Sequence, residues 1–232
     1  MCRARGKLLL VDSAHAAHFP AVRMHSAVQR GADCAVISAH KTLPCLGQGA
    51  YLILGERMEG DALREATSLF GTSSPSYPIL CSLDLARAWA EGQGAADFRQ
   101  SAHSCAGIRH MLSHETPFLP REDFMVPDAL DPCRLTVCTA GTKLSGHALA
   151  DTLFGTFSVA CEMADERNTV FILTGADSSV SVLRLRQALA KLAKRVGQAP
   201  LPEKTGAAPL PARIMSVRRA WYSPREEIAV AD

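Results

Sequence analysis

The run Lys7-Leu8-Leu9-Leu10-Val11, stopped at once by Asp12 and a small-residue segment, constrains this chain more than any other feature. A short run without polar alternation suits a strand buried on both faces of a parallel sheet. Open sheets of that kind place their ligands beyond the carboxyl ends of the strands. A second such run, Cys34-Ala35-Val36-Ile37, follows the turn Gly31-Ala32-Asp33, and Ala50-Tyr51-Leu52-Ile53-Leu54 before Gly55 reads as a third strand. With a helix predicted over Val22 to Arg30, the pattern is α/β.

Chemistry-bearing residues stand just past the first two strands. Ser38-Ala39-His40-Lys41-Thr42-Leu43-Pro44 puts Lys41 at the mouth of the expected crevice. Partial burial there would disfavour the ammonium and leave an amine able to form a Schiff base with an aldehyde, which suits pyridoxal phosphate. Asp after a strand most often caps a turn. Asp12 beside Lys41 has a second use, because a carboxylate facing a pyridine nitrogen keeps it protonated and able to take up electrons.

Further along, helices are predicted over Asp61 to Ser68, Ile79 to Glu91 (ended by Gly92-Gln93-Gly94) and Ala95 to Leu112. Pro117, Pro120, Pro127 and Pro132 mark a linker. Beyond it, strands over Arg134 to Thr139, Ser158 to Met163 and Thr169 to Thr174 alternate with helices over Ser145 to Phe154 and Ser178 to Lys194. The expected organisation is a large domain over 1–116, a linker over 117–129, a small α+β domain over 130–196, and a Pro/Ala-rich connection leading to a C-terminal region over 197–232.

Charge and cysteine usage narrow the partners. Lys+Arg 25 against Asp+Glu 23 leaves a net charge of +2, too little to draw nucleic acid or an anionic membrane. No apolar stretch is long enough to span a bilayer. The 8 cysteines show no paired CxxC spacing and read as reduced thiols of a cytoplasmic protein. His15 and His18, or Cys34, His40 and Cys45, lack a second clean ligand pair, so no metal is expected.

Val11-Asp12-Ser13-Ala14-His15-Ala16-Ala17-His18-Phe19 and Ser38-Ala39-His40-Lys41-Thr42-Leu43-Pro44 together resemble the paired signatures of the Orn/Lys/Arg decarboxylases, pyridoxal-phosphate enzymes of the aspartate-aminotransferase-like fold type I. The resemblance continues through Thr72-Ser73-Ser74-Pro75-Ser76-Tyr77, Ser82-Leu83-Asp84 and Glu162-Met163-Ala164-Asp165, and more weakly through Ser216 to Val230. It implies that Lys41 carries the cofactor, Asp12 binds its ring nitrogen, Ala14 packs on one ring face and His15 lies near cofactor and substrate. It also implies that Ser38 and His40 contact the phosphate, and that Ser73 or Ser74 reaches the phosphate in a partner subunit of a homodimer or higher oligomer. Ser13 stands where the family usually has Glu, and Gly47 where it often has Thr.

The implied reaction is removal of the α-carboxylate of arginine, lysine or ornithine as carbon dioxide, a step of polyamine metabolism. Fold type I also hosts aminotransferases on the same Lys and Asp, and a non-catalytic remnant is the further alternative. The resembling enzymes have earlier strands ahead of the one that delivers Asp12, so the chain is expected to be truncated at both ends, with an uncovered apolar sheet face and little activity alone.

Overall fold

The computed structural model describes residues 2–120, 130–201, 212–224 and 226. The chain divides into two units, Met1–Leu201 and Pro202–Asp232. In the second, the described element is α6 (Val217–Tyr222), whose first turn is capped by the Ser216 hydroxyl accepting from the Arg219 N–H at 3.2 Å.

The first unit contains a 3-stranded and a 4-stranded sheet. Strands β1 (Leu10–Asp12), β2 (Cys34–Ile37) and β3 (Tyr51–Leu54) lie in that order, β1 parallel to β2 and β3 antiparallel to it. Helices α1 (Gly60–Ser68), α2 (Tyr77–Glu91) and α3 (Gln93–Glu115) follow. The second sheet joins β4 (Leu119–Pro120), β5 (Arg134–Cys138), β7 (Asn168–Ile172) and β6 (Met163–Ala164), all antiparallel, with α4 (Gly146–Phe157) and α5 (Ser179–Ala193) between and after them.

Helix α3 serves two apolar cores. Phe98 packs with Ala21, Leu43, Ala86 and Cys133, whereas Ile108, Met111 and Leu112 join Phe118, Leu135, Leu149, Leu153 and Leu189 beneath the second sheet. Fully burying a side chain of this size contributes about 1.5–3 kcal/mol. The larger cluster therefore fixes β5, and with it the position of Arg134. Within the segment expected to be a linker, Phe118 is fully buried and Leu119–Pro120 pair with β5; residues 121–129 lie outside the described residues. The Pro/Ala-rich residues 202–211 do too.

Several expectations need correction. The strand from the first apolar run is not buried on both faces: Leu8, Leu9 and Leu10 are exposed, as are Val36 on β2 and Leu52, Ile53 and Leu54 on β3. This sheet's β1 and β3 are both edges, and Leu10, Val36, Leu52 and Leu54, which share one face by register, all remain exposed. Val22 to Arg30 is not a helix. A 3-10 turn over Phe19–Val22 is closed by Arg23 in the left-handed region, φ 61°, which ends helical propagation, and turns follow. Ser158 to Met163 is not a strand over its length. Ser158, φ 54°, closes α4, and pairing with β7 extends only over Met163–Ala164, after which Asp165 turns the chain by accepting the N–H groups of Arg167 and Asn168, both at 2.7 Å. Gly92 ends α2 as expected, but Gln93 and Gly94 already belong to α3.

Candidate active site

Parallel pairing brings the ends of β1 and β2 to one edge of the sheet. Asp12 is in register with Val36, and the Ser13 N–H donates to the Val36 carbonyl at 2.8 Å. The chain then turns sharply, with the Ala14 N–H donating to Asp12 Oδ1 at 3.0 Å. Asp12 thus caps a turn, and that bond also fixes the direction of its carboxylate. Past β2, Ser38 leads into a 3-10 turn over Ala39–Lys41, in which the Lys41 N–H donates to the Ser38 carbonyl at 3.2 Å. Buried Ala39 and Leu43 anchor this turn. Asp12, Ala14, His15, Phe19 and Lys41 line one open cleft of ≈ 490 Å³.

His15 is held from the second sheet. Arg134, the first residue of β5, lies with its guanidinium Nη2 3.0 Å from His15 Nδ1. Burial, the Arg134 charge and the Lys41 charge hold the His15 pKa below the ordinary imidazole value, against the opposing pull of Glu162 and Asp131. Beneath Arg134, Asp131 Oδ1 accepts from buried His18 Nε2 at 3.0 Å and from the Cys133 N–H at 2.9 Å. Burial raises the Asp131 pKa, but the His18 contact and that N–H outweigh it, so the group stays below the usual carboxylate range. Its Oδ2 lies 3.9 Å from Arg134 Nε, an ion-pair contact and not a hydrogen bond. The Cys133 thiol faces the Phe98 carbonyl at 3.6 Å and is pushed up to about 12, chiefly by burial, so it remains a protonated thiol.

Of the residues singled out from sequence, Asp12, Ala14, His15 and Lys41 converge on the cleft. Ser38 and His40 do not line it, and the His40 ring Nδ1 is engaged by the Gly49 carbonyl at 3.0 Å. Ser73 and Ser74 sit in an exposed loop where the Ser74 N–H donates to Thr72 Oγ1 at 3.1 Å. The expected burial of Lys41 is corrected: the residue is exposed in an open cleft. Phe19, Asp131 and Arg134 belong to the site or its support and were not singled out; Phe19 closes the first signature, whereas Arg134 reads from sequence only as the start of a strand.

Residues 3–117 match the major domain of the Orn/Lys/Arg decarboxylases. YaaO, an uncharacterized protein of Bacillus subtilis strain 168, is 34% identical over 173 residues, which cover 71% of this chain and 35% of that protein. The arginine decarboxylase of the same organism is 29% identical over 200 residues, 82% of this chain and 40% of the enzyme. Among solved structures, the Francisella novicida lysine decarboxylase LdcF superposes with a TM-score of 0.62 at 19% identity, over 80% of this chain and 32% of that one, a likeness of fold. The chain spans 35% to 47% of the length of the curated relatives it matches. With a shared major-domain sequence and a shared fold type I architecture, this chain belongs to the Orn/Lys/Arg decarboxylase family.

Proposed function

We propose that this chain carries the cofactor lysine of a pyridoxal-phosphate-dependent decarboxylase acting on a basic amino acid, with arginine preferred over lysine and ornithine. One observation carries the reading: Asp12 and Lys41, delivered by parallel neighbours, line the same cleft. The preference for arginine rests on relatives that are named arginine decarboxylases.

The residues present suit the aldehyde and ring of pyridoxal phosphate. Lys41 offers a primary amine, Asp12 a carboxylate whose Oδ1 is pinned by the Ala14 N–H, and Ala14 a small side chain beside them. When bound, the cofactor supplies an electron sink for the bond broken at the substrate α-carbon. Lys41 would hold the cofactor's aldehyde carbon through its amine. Asp12 would keep a proton on the ring nitrogen. Phe19 excludes water from one wall of the cleft, and His15, beside Lys41, holds a proton at its free ring nitrogen for the product side. Ser73 and Ser74, exposed as they are, remain available to the phosphate of a second copy in a homodimer or higher oligomer, and Ser38 and His40 require a rotation toward the cleft to assist.

The test is to incubate the purified chain with pyridoxal phosphate, reduce with borohydride and map the label, while carbon dioxide release is measured from arginine, lysine and ornithine. The expected result is a label on Lys41, lost in Lys41→Ala, and little release from the chain alone. Labelling that survives Lys41→Ala would remove the assignment. Dependence of product formation on an added keto acid, without carbon dioxide, would transfer the chain to aminotransferase chemistry.

A further inference from the structure

We propose that Arg134 is a positioning residue that fixes the tautomer of His15, so that the imidazole presents an Nε2–H to the Lys41 cleft. The geometry is specific: guanidinium Nη2 lies 3.0 Å from His15 Nδ1 across 119 residues of sequence. A guanidinium has donors and no acceptor, so Nδ1 must be the bare nitrogen and the single proton of the neutral ring sits on Nε2.

Arg134 is itself held in place. Arg109 donates to the Asp131 carbonyl at 3.3 Å, to the Pro132 carbonyl at 3.4 Å, and to the Arg134 carbonyl, so a side chain from α3 fastens the backbone that leads into β5. Asp131, tied to buried His18, stands 3.9 Å behind the Arg134 Nε. Leu135, fully buried, locks the start of the strand. The device thus runs from the second core to the edge of the first sheet, and only its last member faces the cleft.

The charged groups around His15 act in opposing senses, and the lowering ones prevail. Arg134 from β5 and Lys41 from the turn after β2 oppose a positive imidazole; Glu162, ahead of β6, and Asp131 favour one, and burial opposes it. Protonating Nδ1 would set a donor against a donor, so the contact persists while the ring is neutral and is lost as pH falls through the lowered imidazole value. The purpose of the Nε2–H, proton delivery in the cleft, rests on the function proposed above; the tautomer does not.

The experiment uses the full chain labelled with 15N-histidine, without cofactor, and two-bond 1H–15N correlation spectra across a pH series. His15 is assigned by its loss in His15→Gln. The expected result is an Nε2–H signature for His15 and a titration midpoint below that of free imidazole. In Arg134→Gln the midpoint returns toward the ordinary value of about 6.5 and the single tautomer gives way to a mixture. Arg134→Lys, which keeps the charge, retains most of the lowering. An Nδ1–H signature in the parent chain overturns the proposal, and so does an unchanged titration in folded Arg134→Gln. If that variant fails to fold, the parent spectrum and Arg134→Lys still decide. Absence of borohydride labelling at Lys41 with the Nε2–H signature intact would refute the function proposed above and leave the positioning role standing.

Discussion

Asp33 and Arg57 clamp the start of the first sheet: Arg57 Nε lies 2.8 Å from Asp33 Oδ1 and Nη2 3.1 Å from Oδ2, while the Leu9 N–H donates to Oδ2 at 2.8 Å. The Leu9 N–H is the main cause of an Asp33 pKa below the usual carboxylate range; burial opposes it and Arg57 adds to it. Because the folded value is lowered, the clamp contributes its full stability above the ordinary Asp value and loses it as pH falls through the lowered one. Asp33→Asn is therefore expected to lower the urea midpoint at pH 7 and to converge with the parent chain in strong acid. Urea titrations at both pH values check this, and a deficit that persists unchanged in acid would show that packing, not ionisation, is responsible.

The uncovered face of that sheet has a measurable consequence. Leu10 is 63% exposed and Leu52 41% exposed, on edge strand β1 and edge strand β3 respectively. Apolar edges of this kind template pairing with other chains. Leu10→Lys with Leu52→Lys is expected to raise the soluble fraction on expression and reduce binding of an apolar dye, with the thermal midpoint unchanged within a few degrees. A fall in the midpoint with no gain in solubility would mean that these side chains are packed in solution.

How far the site could be read from sequence follows from locality. Asp12 and Lys41 stand directly after strand-forming runs, so strand ends alone place them in one crevice. Arg134 lies 119 residues from its partner His15, and its placement depends on Arg109, Asp131 and the core around Leu135, contacts that no local pattern encodes. The apolar run before Asp12 forecasts a strand that forms only over Leu10–Asp12, and overstates its burial, since a run reports what a strand could bury and not what lies against it. The helix expected near Val22 fails for a local reason that periodicity does not see: Arg23 adopts a positive φ.

Asp12→Asn separates attachment from chemistry. An amide preserves the size of the side chain and can still accept the Ala14 N–H, but it cannot hold a proton on a pyridine nitrogen as a carboxylate does. Labelling of Lys41 by pyridoxal phosphate and borohydride should therefore survive. In any polypeptide containing this segment that releases carbon dioxide, turnover should fall by roughly 100-fold or more, the scale expected for a group acting on charge that develops in the transition state. Unchanged turnover in Asp12→Asn would take Asp12 out of the mechanism.

Two glycines of α4 should respond to alanine with opposite signs. Gly146 is buried at the first position of the helix, where the Ser145 hydroxyl accepts the Ala148 N–H at 3.1 Å and the Thr169 hydroxyl donates to the Gly146 carbonyl at 2.9 Å. A Cβ at Gly146 would meet the Asp165 carbonyl oxygen and, at 2.5 Å, that of Asn168. Asp165 opens the turn after β6 and Asn168 is the first residue of β7; the Asp165 carboxylate fixes the backbone between them, so neither oxygen is the free end of a flexible side chain. Gly146→Ala must displace α4 or that turn, and a cost of about 1–3 kcal/mol is expected. The gain in helix propensity, at most about 1 kcal/mol, does not offset it. Gly155 stands later in the same helix, exposed, with nothing within 4 Å of a built Cβ. Gly155→Ala removes backbone freedom from the unfolded chain without a clash and should stabilise by about 0.4–1 kcal/mol. Denaturant unfolding of the two variants side by side checks the pair. If Gly146→Ala were neutral, α4 would not approach the β6–β7 turn as closely as the structure places it, and the Thr169 contact to Gly146 would be the next to re-examine.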